Sequence, residues 1–292
     1  MPAPATFTKA AASKLGWSVK VINGGLTPEQ NKNAMDQAVK DSPDAVVFEG
    51  LDSSVFQSEI KTLKDKKIPT IGWQTTDTPS LPDFYVIPGP SHYDLLTQAA
   101  AAAAMVAGKG KPVIGHIAVP TFPIYKNTID PAFDKAVAGY CPDCKVKTFD
   151  MPVTSLGKDS ATRIVNFLRS NRDINVLVHD QDATALGLAP ALKGASITGI
   201  SNVGIYPTAA NLPNLADGSE TALLPDPFAE MGYLVVDSLA RVFTGGDPAT
   251  SVALTAPVVL WTKDNAPQPV NNALPAAQPG FEQKFLTAWG VS

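Results

Sequence analysis

Short apolar runs alternate with longer amphipathic segments along almost the whole chain. The runs are about four to six residues long, and most are continuously hydrophobic, as is typical of parallel strands covered on both faces. The amphipathic segments between them, about 12 to 18 residues each, predict helices. The predicted strands are Ser18–Ile22, Ala45–Phe48, Thr70–Trp73, Tyr85–Ile87, Val113–Val119, Val146–Phe149, Asn175–Val178, Ile197–Ile200 and Ala222–Leu224. This alternation predicts an α/β fold built from βαβ units.

Several segments carry clear signals of where a helix or a domain begins or ends. The run Thr27–Gln30 supplies a capping hydroxyl, a proline at the first helical position and a glutamine at the reciprocal capping position, so a helix should start there. Further predicted helices are Pro227–Thr244, Phe281–Trp289 and an alanine-rich segment, around Ala99–Ala104, that stops at Gly108. Gly108–Pro112 marks a domain boundary, and the proline-rich run Asn265–Gly280 predicts an extended strap because proline denies it regular hydrogen bonding.

Length and composition narrow the class of protein. The 292 residues are enough for two domains at about 150 residues each. With 45% hydrophobic and 17% charged residues the chain is globular, since disordered chains combine low hydrophobicity with high net charge. A formal charge of −4 argues against nucleic acid as a partner, because neutralising phosphates requires a concentrated basic face.

Metal and cofactor sites are not expected. The three histidines, His92, His116 and His179, lack metal-ligand spacing, and two cysteines alone cannot complete a four-cysteine zinc site. His116 lies inside an apolar strand, so a satisfied core residue is the favoured interpretation for it over a catalyst.

Ordered motifs in both halves of the chain resemble type I periplasmic binding proteins of the ribose-binding-like branch. In the first half they are Lys14–Trp17, Asn33–Val39, Asp44–Val47 and Ile68–Ile71; in the second they are Ala132–Val137, Val178–Asp182, Ala185–Gly187 and Leu224–Asp226. Each motif is loose by itself, but the ordered set extends over nearly the whole chain to about Asp264.

The resemblance implies two Rossmann-like lobes with parallel sheets, joined by a three-segment hinge near Lys111, Asp226 and Leu254. The expected amino-terminal lobe is residues 1–111 plus 226–253, the carboxy-terminal lobe is 112–225 plus 254–264, and 265–292 forms the strap and terminal helix. Ligand would bind between the lobes and favour the closed form because it touches both.

The family also implies a function. The chain would be a monomeric, non-enzymatic solute-binding protein outside the cytoplasm, periplasmic or attached to the cell surface, that delivers a small molecule to the membrane permease of an ABC transporter. The alternative is the effector-binding core of a lac-repressor-like regulator. The acidic charge and the paired cysteines disfavour that alternative. No nucleophile elbow or phosphate loop suggests an enzyme.

The chain departs from the family at its start. Family members begin with a strand that leads into the first helix, whereas this chain enters that helix directly after Met1–Pro4. That strand is interior to its sheet, and its loss would leave backbone groups unpaired at about 1 to 3 kcal/mol each if buried. We therefore expect residues upstream of Met1.

Polar and aromatic side chains at strand ends form the predicted ligand site, since open α/β sheets bind ligands there. They are Glu49, Trp73, Gln74, Phe122, Tyr125, Asn127, Asp180, Asp182, Asn202 and Asp226. Each has a structural alternative. Asp180 and Asp182 could cap a helix, Trp73 could belong to the core, Glu49 could be merely exposed, and the Phe122 and Tyr125 rings could only pack a helix.

The residue types at these positions suggest a ligand class. Gln74-Thr75 stands where sugar binders of the family commonly have Asp-Arg, which puts a simple pentose or hexose in doubt. The four arginines fall in or just after predicted helices, and carboxylates or phosphates are usually held by a guanidinium. We expect a neutral, sugar-like or polyol-like ligand, or a cationic one.

Cys141 and Cys144 follow a predicted helix and precede a strand, in a Pro-Asp turn. A redox motif would instead sit at the start of a helix. A disulfide is the favoured interpretation, and it points to an oxidising compartment.

Overall fold

The computed structural model describes residues 5–25, 27–76, 84–87, 90–248, 258–269 and 274–291, with backbone only for 84–87 and 90. The helices are α1 (Ala5–Lys14), α2 (Pro28–Asp41), α3 (Gln57–Asp65), α4 (Pro90–Ala107), α5 (Asp130–Tyr140), α6 (Ser160–Ser170), α7 (Leu188–Gly194), α8 (Leu212–Asp217), α9 (Phe228–Phe243) and α10 (Phe281–Trp289). The strands are β1 (Val46–Glu49), β2 (Thr70–Trp73), β3 (Phe84–Ile87), β4 (Val113–Ala118), β5 (Lys145–Asp150), β6 (Val176–His179), β7 (Ser201–Ile205) and β8 (Ala222–Leu224). The predicted α/β class is confirmed.

The chain forms two compact units. The first unit comprises Pro2–Gly89, Pro227–Ala256 and Gln278–Ser292, and the second comprises Pro90–Asp226 and Pro257–Ala277. Each contains one parallel sheet, in the order β1-β2-β3 in the first unit and β5-β4-β6-β7-β8 in the second. Among the described residues no helix is long and apolar enough to cross a membrane.

The unit boundaries differ from the lobes expected from the sequence. We expected the helix before Gly108 to belong to the first lobe, but α4 groups with the second unit. Its buried face, which includes Tyr93, Leu96 and Ala100, joins the hydrophobic core around the five-stranded sheet. The boundary therefore falls at Pro90 and not near Lys111, and the expected crossing near Leu254 lies outside the described residues.

The carboxy-terminal segment is divided between the units instead of forming one strap. Trp261 pairs with Leu223 of β8 in an isolated antiparallel bridge in the second unit. The predicted terminal helix is confirmed as α10, which packs on α9 in the first unit. Its Trp289 ring stacks on Tyr233 with ring centroids 5.6 Å apart, and the indole Nε1 donates a 2.8 Å hydrogen bond to Asp237.

Most predicted strands are present, but two are wrong. Ser18–Ile22 has no regular structure, and Val21 is 58% exposed. No strand in the described part of the chain lies beside it, so it has no ladder to join. Ile197–Ile200 is also irregular: the Ile197 amide bonds back to Leu192 at the end of α7, and the strand begins only at Ser201.

The start of α2 follows the predicted chemistry. The Thr27 hydroxyl accepts a hydrogen bond from the Gln30 amide, and the Gln30 side chain accepts one from the Thr27 amide, each 3.2 Å long. Pro28 occupies the first turn, where its missing N–H costs nothing.

Candidate functional site

Buried ionisable side chains meet near the carboxyl ends of β4 and β6 in the second unit. These neighbouring parallel strands are paired so that Ile117 lies opposite His179. His116 Nε2 lies 2.6 Å from Asp180 Oδ1, and the Val119 amide donates to Asp180 Oδ2 at 2.9 Å. His116 is thus a buried, hydrogen-bonded residue, and Asp180 binds a neighbouring strand instead of capping a helix.

Asp130, at the start of α5, completes this group. Its Oδ1 lies 3.9 Å from His116 Nε2 and is buried without a hydrogen-bond partner among the described residues. Burial and the nearby Asp180 raise the pKa of Asp130 to about 7, partly offset by His116. Burial by itself would lower the pKa of His116, but the carboxyl groups of Asp180, Asp130 and Asp134 together outweigh it and the pKa is raised. The three side chains come from elements far apart in the sequence, so local spacing could not indicate them.

Aromatic residues follow the carboxyl ends of two strands of this sheet, β4 and β7. Tyr125 begins a single π-helical turn, Tyr125–Ile129, before α5 and is only 6% exposed. Its ring centroid is 6.0 Å from that of Phe122 and 6.2 Å from that of Tyr206. Asn127, in the same turn, is exposed to solvent and does not join this group. Such π-turns occur frequently at functional sites.

Two tyrosine hydroxyl groups near these rings are buried and unsatisfied. The hydroxyls of Tyr93 on α4 and Tyr206 after β7 have no hydrogen-bond partner in the described part of the chain. Burial, with a contribution from the charge of Asp226, raises the pKa of both phenols well above its usual value. Asp226 follows β8 and is buried. Tyr93 was missed because the sequence assigned its helix to the other lobe.

Asp182 belongs to a separate buried group. It neither caps a helix nor meets the tyrosines, and its carboxyl group lies against Gly204 of β7. Asn211 donates to both the Asp182 backbone oxygen and Glu220 Oε1, at 2.9 and 3.1 Å. Burial raises the pKa of both carboxyl groups, and for Asp182 the neighbouring Glu220 raises it further. Glu220 was not predicted, since its position before β8 gives no sequence signal.

Asn202 is not at the carboxyl edge of the sheet. Because β7 begins at Ser201, Asn202 lies near the amino end of the strand, where its Nδ2 donates to the Ser219 carbonyl at 2.9 Å. Its Oδ1 lies 3.4 Å from His179 Nε2, and the other ring nitrogen of His179 lies 2.7 Å from the Thr184 hydroxyl. Burial lowers the pKa of His179 to about 4, so this histidine is a neutral structural residue.

The remaining predicted residues lie at the sheet edge of the first unit. Glu49 ends β1 opposite Trp73, the last residue of β2. Glu49 keeps contact with solvent, yet partial desolvation by surrounding protein raises its pKa to about 7. Trp73 is a core residue, 1% exposed and packed edge-on against Phe228. Gln74, immediately after it, is half-buried with φ +51°.

The two cysteines form the predicted disulfide. Cys141 and Cys144 are bonded across the turn between α5 and β5, with their Cα atoms 5.3 Å apart. The Cys144 amide also donates to the Cys141 carbonyl at 3.0 Å. The sequence interpretation of this motif is confirmed.

Comparison with known proteins identifies the family. A family model described as a periplasmic binding protein domain matches residues 3–247. The chain belongs to this periplasmic binding protein family. The family is a solute-binding class, and membership implies a location outside the cytoplasm. No curated protein matches the chain.

Solved structures agree on the fold. The ABC sugar transporter subunit from Rhodobacter sphaeroides 2.4.1 has a TM-score of 0.74 and 19% identity, over 90% of this chain and 93% of that one. GanP, a glucose-galactose binding protein from Geobacillus stearothermophilus, has a TM-score of 0.73 and 20% identity, over 90% and 92%. A putative LacI transcriptional regulator from Bacteroides fragilis has a TM-score of 0.74 and 13% identity, over 90% and 91%. The expected type I periplasmic binding protein fold is thereby confirmed.

Proposed function

We propose that this protein is an exported solute-binding protein of an ABC-type uptake transporter. It binds a small neutral polyhydroxylated solute, or a cationic one, without transforming it, and delivers it to a membrane permease. Part of the binding site is the carboxyl edge of the five-stranded sheet, with Phe122, Tyr125 and Asp226. Glu49 and Gln74 remain candidates at the edge of the other sheet.

The unsatisfied tyrosine hydroxyls carry this proposal. A buried hydroxyl without a partner costs about 1 to 3 kcal/mol, so a protein seldom keeps two of them near each other without a use. The Tyr93 and Tyr206 hydroxyls can each donate to or accept from a solute hydroxyl. The Tyr125 and Phe122 rings offer faces for the apolar side of a sugar.

Charge around these residues favours a neutral solute over an anion. Asp180 already has both oxygens occupied, by His116 and by the Val119 amide. The four arginines lie in α6, just after it and in α9, and none of them follows the carboxyl end of a described strand. An anionic solute at these strand ends would therefore meet carboxyl groups and no arginine guanidinium to pair with it.

Proteins of the same fold support a sugar-like solute. GanP is described as a glucose-galactose binding protein, and a solute-binding protein from Agrobacterium vitis was solved with α-D-tagatopyranose. The fold of a LacI-type regulator is equally similar. The disulfide favours the transport role, because such bonds persist outside the reducing cytoplasm.

A thermal-shift screen tests the proposal. The purified protein is heated with monosaccharides, polyols, amines and small carboxylates, after mass spectrometry has identified any solute that co-purifies. A bound solute at about 100 times its Kd adds about 2.7 kcal/mol of stability. We expect polyols or amines to stabilise the protein, and stabilisation by carboxylates alone would contradict the charge argument.

Conservative variants tie the solute to the tyrosines. Tyr206→Phe and Tyr93→Phe should each weaken binding about tenfold, the equivalent of one lost hydrogen bond of about 1.4 kcal/mol. Tyr140→Phe, at an exposed position on α5, is the control and should bind as the wild type does. Unchanged affinity in both site variants, or chemical turnover of the solute, would refute the proposal.

A further inference from the structure

We propose that His116, Asp130 and Asp180 bind one divalent transition-metal ion, with Zn²⁺ as the best match. The three residues come from β4, the start of α5 and the end of β6, all in the second unit. One ligand atom from each lies within 4.8 Å of the other two. The site stands independently of which solute the protein binds.

The chemistry of the ligand set favours Zn²⁺ over harder cations. An imidazole nitrogen and carboxylate oxygens bind Zn²⁺ at about 2.0 to 2.2 Å, usually in tetrahedral geometry. Ca²⁺ and Mg²⁺ prefer six or more oxygen ligands and are poorly served by a set that contains a histidine. Three protein ligands leave one position for water or another small ligand.

The ligand groups are held in place by the fold. His116 lies in the interior of a strand and is 1% exposed, and Asp180 is completely buried. The Val119 amide fixes the second oxygen of Asp180 at 2.9 Å, the kind of outer contact that orients metal-binding carboxylates. Little conformational freedom would be lost on binding.

An unsatisfied atom points into the same space. Asp130 Oδ1, 3.9 Å from His116 Nε2, is buried and has no hydrogen-bond partner in the described chain. A bare carboxylate oxygen beside a second carboxyl group is unfavourable unless a proton or a metal cation compensates it. The metal would supply that compensation, which His116 provides only to Asp180 at hydrogen-bond distance.

Binding requires a small rearrangement and the release of protons. The 2.6 Å separation of His116 Nε2 and Asp180 Oδ1 must widen to about 3.3 Å for both atoms to coordinate tetrahedral Zn²⁺. The proton between these two atoms, and the proton on Asp130 in molecules that carry one, leave to solvent as the metal binds. No other bond is made or broken.

Zinc titration of the tag-free, chelator-treated full chain tests the proposal. A polyhistidine tag is omitted because it binds Zn²⁺, and both cysteines stay in their disulfide, so no thiolate competes. Binding is measured by calorimetry, and metal content by elemental analysis after gel filtration. We expect saturable uptake of one Zn²⁺ per chain, with Ca²⁺ and Mg²⁺ bound at least tenfold more weakly.

Two variants on α5 distinguish the loss of a metal ligand from the loss of one negative charge near the site. Asp130→Asn removes a ligand at a partly exposed position, so it should fold normally and weaken Zn²⁺ binding at least tenfold. Asp134→Asn makes the same charge change on α5 at an exposed position, where its charge acts on His116 and Asp130 from a distance without offering a ligand, so it should weaken binding clearly less than Asp130→Asn does. His116→Gln should abolish stoichiometric uptake. An absence of saturable binding in the wild type, equal affinity in Asp130→Asn, or a preference for Ca²⁺ would overturn the proposal.

Discussion

Replacing Asp182 by asparagine should make the stability of the protein fall less as the pH rises. In the native state the fully buried Asp182 carboxyl faces Glu220, and neither Asp182 oxygen receives a hydrogen bond from an amide or hydroxyl donor in the described chain. Only a proton shared with Glu220 relieves the burial and repulsion of two carboxylates. The pair therefore holds a proton in the folded protein at a pH where the unfolded chain has lost it.

The direction and size of the effect follow from proton linkage. Both folded pKa values are raised above the unfolded values of about 4, so stability is fully present below pH 4 and is lost as pH rises toward the folded values. One proton retained by the native state lowers the free energy of unfolding by about 1.4 kcal/mol per pH unit. Between pH 5.5 and 7.5 the proton held by the pair would thus lower the free energy of unfolding by at most about 2.7 kcal/mol.

The asparagine variant removes the fully buried acid and offers an amide N–H to Glu220. Its stability relative to wild type should therefore increase with pH, by up to about 2.7 kcal/mol over that interval. Urea denaturation at pH 5.5, 6.5 and 7.5, followed by circular dichroism, measures the difference. Other groups that titrate in this range, such as Asp130 and Glu49, are present in both proteins and cancel.

The control is Asp150→Asn, at an exposed position at the end of β5. The difference in the free energy of unfolding between this variant and wild type should be the same at all three pH values, because this carboxyl group is exposed to solvent in both the folded and unfolded states. If the difference in the free energy of unfolding between Asp182→Asn and wild type also stays the same at all three pH values, the carboxyl pair does not share a proton and the reasoning is wrong.

Three further predictions concern packing and the covalent turn. Gly204→Ala should lower the free energy of unfolding by about 1 to 3 kcal/mol, because a Cβ there would lie 2.2 to 2.5 Å from the Asp182 carboxyl atoms; unchanged urea stability would contradict this contact. Trp289→Phe should cost about 1 to 3 kcal/mol through loss of its hydrogen bond to the buried Asp237, measured in the same way; a cost below about 0.5 kcal/mol would show that α10 is docked by its rings alone. Reduction of the disulfide should cost about 2 kcal/mol or less, since it closes only a short loop; thiol labelling before reduction should find no reactive cysteine, and two labelled thiols would disprove the bond.

The sequence predicted elements best where local and tertiary preferences agree. Thr70–Trp73 is a continuous apolar run in the middle of its sheet, and it is a strand with the predicted bounds. Ile197–Ile200 is equally apolar, but Gly199 has φ +77° and the run completes the turn after α7. The strand itself, Ser201–Ile205, contains serine, asparagine and glycine, so hydrophobicity pointed to the wrong four residues.

The site shows the same limit. Asp180 and Asp226 were predicted as site residues because they follow apolar strands, and both are buried at those strand ends. Because of the four-residue error at β7, Asn202 was predicted to follow the strand, whereas it lies near the start of the strand. An error in the bounds of a strand therefore changes which residue is assigned to the strand end, and the residue type at that end decides the chemistry.

Tyr93 shows what a pattern along one chain cannot encode. Its helix is predicted from an alanine-rich run, which does not show which sheet the helix covers, and in the structure its buried face joins the core of the five-stranded sheet. Hydrophobic periodicity identifies a buried face without naming the surface that buries it. The grouping of His116, Asp130 and Asp180 has the same origin, since the parallel pairing of β4 with β6 and the position of α5 on that sheet face bring them together. Residue types suggest candidate chemistry, whereas sheet order and helix placement decide which candidates meet.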